Sequence, residues 1–130
     1  MIVLTIRTDK PDSEIGIYND KKQIAYVTWE AHRRLAETLH KKIQALLEEQ
    51  KMSWQDIGGI VVYEGPGSFT GLRIGISIAN ALSYGLQQPI TGSQGEAWIQ
   101  DGLKVVMSNK NSLPVVPFYG ADANITTPKK

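Results

Sequence analysis

The chain has no cysteine, so neither a disulfide nor a thiolate-held zinc is available to it. Histidine is almost missing as well: only His32 and His40 occur, and no imidazole follows residue 40. Eight residues apart on one expected helix, the two would stand about 12 Å from each other along its axis, too far to share a metal. No apolar run approaches the length of a membrane span, and the N-terminus lacks a basic segment followed by an apolar one. A net charge of +1 over 130 residues leaves no electrostatic footprint for nucleic acid. With 42% apolar and 21% charged residues the composition is that of an ordinary globular domain. Together these absences predict a soluble, cytoplasmic chain without a membrane partner.

What is present is concentrated in eleven residues, Gly65-Pro66-Gly67-Ser68-Phe69-Thr70-Gly71-Leu72-Arg73-Ile74-Gly75. They follow the apolar run Ile60–Tyr63 and open a helical apolar pattern, so a strand passes through a glycine-rich turn into a helix N-terminus. Glycines without a Cβ let something approach the backbone closely, and Pro66 stiffens the turn. The first helical N–H groups favour an anion or a capping side chain, which Ser68 or Thr70 can supply. Two common phosphate motifs are excluded. No lysine follows the glycines, as a P-loop requires, and Gly71 stands one residue late for the dinucleotide fingerprint.

The remaining elements follow from pattern. Ile2–Ile6 predicts a buried central strand, and Glu14–Tyr18 and Gln23–Trp29, set off by turns at 10–13 and 19–22, complete an antiparallel meander. Residues 30–50 carry Leu35, Leu39, Ile43, Leu46 and Leu47 at helical spacing; Ser53-x-x-Asp56 fits a capping box. Gly59–Tyr63 is a fourth strand, 70–86 a second long helix, and Pro89–Thr91 a short fifth strand. The order β-β-β-α-β-α-β predicts an α/β, ribonuclease H-like mixed sheet of five strands, three of them antiparallel. A helix is expected over 96–107 and an edge strand over 114–119. The domain is taken as 1–119, with an irregular tail over 120–130.

The second long helix is apolar on too many sides. Arg73, Ser77, Asn80 and Tyr84 form one narrow polar stripe, and the rest is apolar apart from Ser83, over an arc of about 200°. Gly71, Gly75 and Ala79, four apart, are expected to make a smooth groove for another helix. Two explanations stand: the helix is sandwiched within its own domain, or it is shared with another subunit.

Catalytic constellations are poorly supplied. Ser68 lacks the G-x-S-x-G of a nucleophile elbow, so a serine hydrolase is not expected. Paired carboxylates for two metal ions would have to come from the first and fourth strands, yet the first ends Arg7-Thr8-Asp9. Glu64 reads as a solvated loop acid, and His32, on the apolar side of its helix, as a hydrogen-bonded structural residue.

The eleven-residue run, together with the first strand, His32–Leu35, Tyr84-Gly85-Leu86 and Pro89-Ile90, resembles the TsaB (YeaZ) family over Met1 to about Trp98. That family is the non-catalytic subunit of the bacterial machinery for the threonylcarbamoyladenosine modification of tRNA. It belongs to the actin-like, Hsp70-like and sugar-kinase-like superfamily. The resemblance implies a scaffold pairing through its helices with a TsaD-like catalytic subunit or with itself. A TsaE-like ATPase is a further implied partner, and tRNA is met only through the complex. ATP and metal are expected on the catalytic partner, with no cofactor in this chain. The close contacts are expected from Ala36, Leu39, Gly71, Leu72, Gly75, Ile76 and Ala79. The turn itself comprises Gly65, Pro66, Gly67, Ser68, Thr70 and Arg73.

Three departures bear on this reading. Family members carry Asp-Thr-Ser where Arg7-Thr8-Asp9 stands, which places a cation where the superfamily keeps an acid near a phosphate-bound metal. The related catalytic subunits carry an H-x-x-x-H metal pair after the fifth strand, where Gly92–Ile99 has no histidine. Relatives also carry a second domain of similar size, and one wall cannot enclose a nucleotide. The alternatives are an ATP- or phosphate-binding enzyme domain using the Gly65–Gly71 turn, and a self-associating structural protein.

Overall fold

The computed structural model describes residues 1–31, 34–67 and 69–118, without the side chain of Phe69. His32, Ser68 and the stretch from residue 119 to the C-terminus lie outside them, and so do the readings made for them above.

Strands β1 (Ile2–Arg7), β2 (Asp12–Asn19), β3 (Lys22–Glu30), β4 (Ile57–Tyr63) and β5 (Ile90–Ser93) form one sheet in the order β3-β2-β1-β4-β5. β1 is antiparallel to β2 and parallel to β4, and β4 is parallel to β5. The apolar run Ile2–Ile6 lies at the centre, as a strand buried on both faces must. Helices α1 (Leu35–Glu49), α2 (Phe69–Leu86) and α3 (Trp98–Met107) supply the crossovers and the cover. Through α3 the elements are thus those expected from the sequence, apart from their ends. β3 runs through Glu30, so α1 starts at Leu35 rather than at residue 30.

Register fixes which helix covers which face. The Trp29 indole donates to the Thr38 hydroxyl of α1 (3.1 Å), and Trp29 pairs with Ser13. Side chains alternate along a strand, so Glu14 and its partner Arg7 belong to the opposite face, as does Thr5. Thr5 pairs with Val61, whose methyls press against Gly102 of α3. α1 therefore covers one face and α3 the other, while α2 packs beside α1. Between the sheet and α1–α2 lie Leu4, Ile6, Ile15, Ile17, Leu39, Ile43, Leu47 and Leu72, each at most 1% exposed. A 3-10 turn at Trp54–Asp56 follows α1, with the Ser53 N–H donating to Asp56 Oδ2 (2.8 Å) as the capping box predicts.

The expected edge strand over 114–119 does not form within 114–118. Prolines at 114 and 117 remove ladder donors, and the segment bonds individually instead. The Ser112 N–H donates to the Ile90 carbonyl (2.8 Å) and the Phe118 N–H to the Glu64 carbonyl (2.7 Å). Among the described residues no helix is long and apolar enough to cross a membrane.

Candidate functional site

The glycine-rich turn leaves the C-terminal end of β4 and meets the end of β1, where Thr8 and Asp9 fill the spaces that Gly67, Gly71 and Gly75 open. A Cβ on Gly71 would run into the Thr8 carbonyl oxygen, and one on Gly75 into the Thr8 hydroxyl. At Gly67 it would come within 2.5 Å of the Asp9 Cβ. Gly65, at φ +130°, lies against the backbone of Phe118. The Thr8 hydroxyl fastens the contact by donating to the Gly71 carbonyl (2.7 Å). These four glycines are thus approached by the chain itself.

The same corner holds an ion pair. Arg7 Nε donates to Asp9 Oδ1 (2.7 Å) and Nη2 to Oδ2 (3.3 Å), with the two side chains 19% and 7% exposed. The guanidinium stacks 3.8 Å from the centre of the Tyr63 ring, and the Tyr63 hydroxyl donates to the Pro66 carbonyl (3.0 Å). Burial opposes the Arg7 charge, but the hydrogen bond and charge of Asp9 outweigh it, so its pKa stands above the ordinary guanidinium value. Burial pushes the Tyr63 phenol up; Arg7 pulls it down and Asp9 raises it further. Both carboxylate oxygens of Asp9 are engaged by a cation that belongs to the fold. Glu64, read as a solvated loop acid, instead accepts from the Gln94 amide.

The expected partner-contact residues divide sharply. Leu39, Leu72 and Ala79 are 0% exposed and Ile76 is 3% exposed, all within the domain's own core. Gly71 and Gly75 face Thr8. The groove expected from Gly71, Gly75 and Ala79 is therefore taken by the domain, and these six residues are corrected from partner-binding to internal packing. Ala36 alone of that set is exposed. The helical wheel located the apolar arc but not which part of it meets the sheet. The sheet takes the central part, while the flank of Ile74, Ile78 and Leu82 stays half-buried beside α1. Ala36, Thr70, Arg73, Ile74, Ser77 and Ile78 line an open groove of about 450 Å³ between the two helices. Thr70, Arg73 and Ser77 are exposed along it, and Pro66 is exposed at the turn. Sequence reasoning missed Ile74 and Ile78, although their i, i+4 spacing next to the polar stripe was a usable signal.

Asn80, from the polar stripe, is not a surface residue in the sense expected. Its amide donates to the Val115 carbonyl (2.9 Å) and accepts the Val115 N–H (2.9 Å), binding the C-terminal segment to α2. His40 is exposed and stacks on Trp54 at 4.9 Å between ring centres.

The class defined by this fold is the ribonuclease H-like α/β domain. The family model for TsaD, tRNA N6-adenosine threonylcarbamoyltransferase, matches residues 27–119, more than half of the chain. The chain belongs to that family, in its TsaB (YeaZ) branch. The tRNA threonylcarbamoyladenosine biosynthesis protein TsaB of Bacillus subtilis is 34% identical over 92 residues, 70% of this chain and 40% of its own length. TsaB of Escherichia coli is 32% identical over 120 residues, 83% of this chain and 49% of its own length. In structure the chain is similar to YeaZ from Pseudomonas aeruginosa, with a TM-score of 0.68 and 24% identity over 74% of this chain and 45% of that one. The chain spans about half the length of the curated relatives it matches, or less.

Proposed function

We propose that this domain is a non-catalytic scaffold in tRNA threonylcarbamoyladenosine biosynthesis, docking a TsaD-like catalytic subunit through the groove between α1 and α2. One observation carries the reading. The flank of the α2 apolar arc stays only half-buried after the sheet is covered, and Ile74, Ile78 and Ala36 border a groove that no other part of the described chain fills. The names of the TsaB relatives support the pathway. The non-catalytic role is supported by the end of β1, where Arg7 stands in place of an acid and already neutralises Asp9. ATP, metal and tRNA would then be handled by the partner, with a TsaE-like ATPase as a further member of the assembly.

The test is co-expression with the TsaD homologue of the same organism, followed by size exclusion with light scattering. A stable heteromeric complex is expected. Ala36→Arg and Ser77→Arg, both at exposed positions, should weaken it about thirtyfold or more, the effect of losing a central contact. A complex indifferent to both substitutions, or a homodimer that ignores the partner, overturns the docking reading. Micromolar binding of magnesium-ATP by the chain alone overturns the non-catalytic one.

A further inference from the structure

We propose that the hollow where the β1–β2 connection meets the starts of α1 and α2 is a binding site for a small oxyanion bearing a short aliphatic group. The hollow measures about 370 Å³ and is lined in part by Lys10, Ser13, Ala31, Leu35, Thr70 and Ile74. It reaches the lower range of small-molecule sites. A water takes about 30 Å³ of liquid, so a single bridging water would leave most of it empty.

Ser13 is the observation that points to a ligand. It is 1% exposed and lies on the α1 face of β2, as its partner Trp29 does. Its carbonyl accepts the Thr28 hydroxyl (3.0 Å), but its own hydroxyl has no hydrogen-bond partner among the described residues. Buried hydroxyls are nearly always paired, because leaving one unpaired forfeits its bond to water. This one borders a hollow large enough to bring it a partner from outside.

The surroundings set the sign of that partner. Among the described residues no side chain caps the start of α1, whose helix dipole is positive at this end. Thr70 and Gly71, in the first turn of α2, border the hollow from the other side. Lys10 borders the hollow, while its exposed Nζ stands 3.8 Å from Glu14 Oε2 on the other face, a long contact that leaves its flexible side chain able to turn toward an anion. Among the described residues the one carboxylate in the wall is Asp9, which Arg7 neutralises at 2.7 Å so that it does not repel an anion. Ala31, Leu35 and Ile74 offer an apolar surface for a few methylenes. The site goes beyond the docking reading and does not rest on it: it shares Thr70 and Ile74 with the docking groove, but its lining needs no second molecule.

The test is a titration of the 15N-labelled chain, at constant ionic strength, with butyrate, butyl phosphate and inorganic phosphate, followed by amide shifts. Saturable shifts at Ser13, Leu35, Thr70 and Gly71 are expected with butyrate or butyl phosphate. The tighter of the two identifies the head group, and inorganic phosphate should bind several-fold more weakly than butyl phosphate. Ser13→Ala should cost about tenfold in affinity, the share of one hydrogen bond to a charged group. Lys10→Gln, on the surface, should cost a few-fold and remove much of the salt dependence; it decides the matter if Ser13→Ala fails to fold. No saturable shift with any of the three anions, meaning water only, overturns the proposal. Undiminished affinity in the folded variants, or inorganic phosphate binding as tightly as butyl phosphate, overturns it equally.

Discussion

Thr8 and Gly71 are locked together twice: the Thr8 hydroxyl donates to the Gly71 carbonyl at 2.7 Å, and the Thr8 carbonyl occupies the space of the missing Gly71 side chain. Because the obstructing atom is backbone, a methyl at residue 71 cannot be accommodated by a rotamer change. Gly71→Ala is expected to destabilise the domain by about 2 kcal/mol or more, despite alanine's better helix propensity, since overpacking costs of that order. Gly85, on the same helix, has nothing within 4 Å of where a Cβ would stand. Gly85→Ala should therefore stabilise by about 0.5 kcal/mol. Urea unfolding of both variants measures the contrast, and equal effects would contradict the packing described.

The Arg7–Asp9 pair makes a second expectation. Removing one partner of a largely buried pair leaves the other charged and uncompensated, at a cost of about 3 kcal/mol. Asp9→Ala alone should show that loss, and Arg7→Met combined with Asp9→Ala should recover a large part of it. A double-mutant cycle in urea gives the coupling. Additive losses would mean the pair is solvated and contributes little.

How much of this was legible in the sequence differs by kind of interaction. An unbroken apolar run specifies Ile2–Ile6 as a central strand, and a period of 3.6 specifies Leu39, Ile43 and Leu47 as a buried helical stripe, because burial on both faces or on one imposes those patterns. The glycines of the turn announced a close approach without naming what approaches. Thr8 and Asp9 come from more than fifty residues away, and no local pattern links them to Gly67, Gly71 or Gly75. Likewise the wheel could not say which part of the α2 arc meets the sheet, so buried Leu72 and Ile76 were read as a partner surface in place of Ile74 and Ile78.

Three tyrosines give the domain an alkaline limit. Burial raises the phenols of Tyr18, Tyr26 and Tyr63 above their ordinary value of 10.0, and Glu14 adds to the rise at Tyr18 and Tyr26. A phenol whose pKa is higher folded than unfolded holds its proton more tightly in the native state. Its contribution is intact below the unfolded pKa and is lost as pH rises through the folded one. Urea midpoints should accordingly stay level up to about pH 10 and fall above it. Tyr63→Phe should flatten part of that fall while losing the hydrogen bond to Pro66. A midpoint that rises between pH 10 and 11.5 would refute the sign.

Asn80 binds Val115 through both its amide groups, at 2.9 Å each, and so holds residues 111–118 against α2 with a side chain-to-backbone pair that leaves no periodic trace in sequence. Leucine at 80 would keep the volume but leave the Val115 N–H and carbonyl unpaired at a position where Val115 is 5% exposed. Asn80→Leu is expected to cost about 2 kcal/mol in global stability, the penalty for orphaned buried polar groups. Its more specific signature is local. Amide exchange at Val115 and Phe118 should quicken far more than at β1 or β4, because the segment loses its anchor while the sheet keeps its own ladder. The Phe118 N–H, bonded to the Glu64 carbonyl, and the tight packing of Gly65 against the Phe118 backbone depend on that anchor. Gly65 should then respond in the same spectrum. If Val115 exchanges faster while Phe118 and Gly65 stay protected, the segment is held by its last residue rather than by Asn80. Uniform acceleration across the whole domain would instead place Asn80 in the global core.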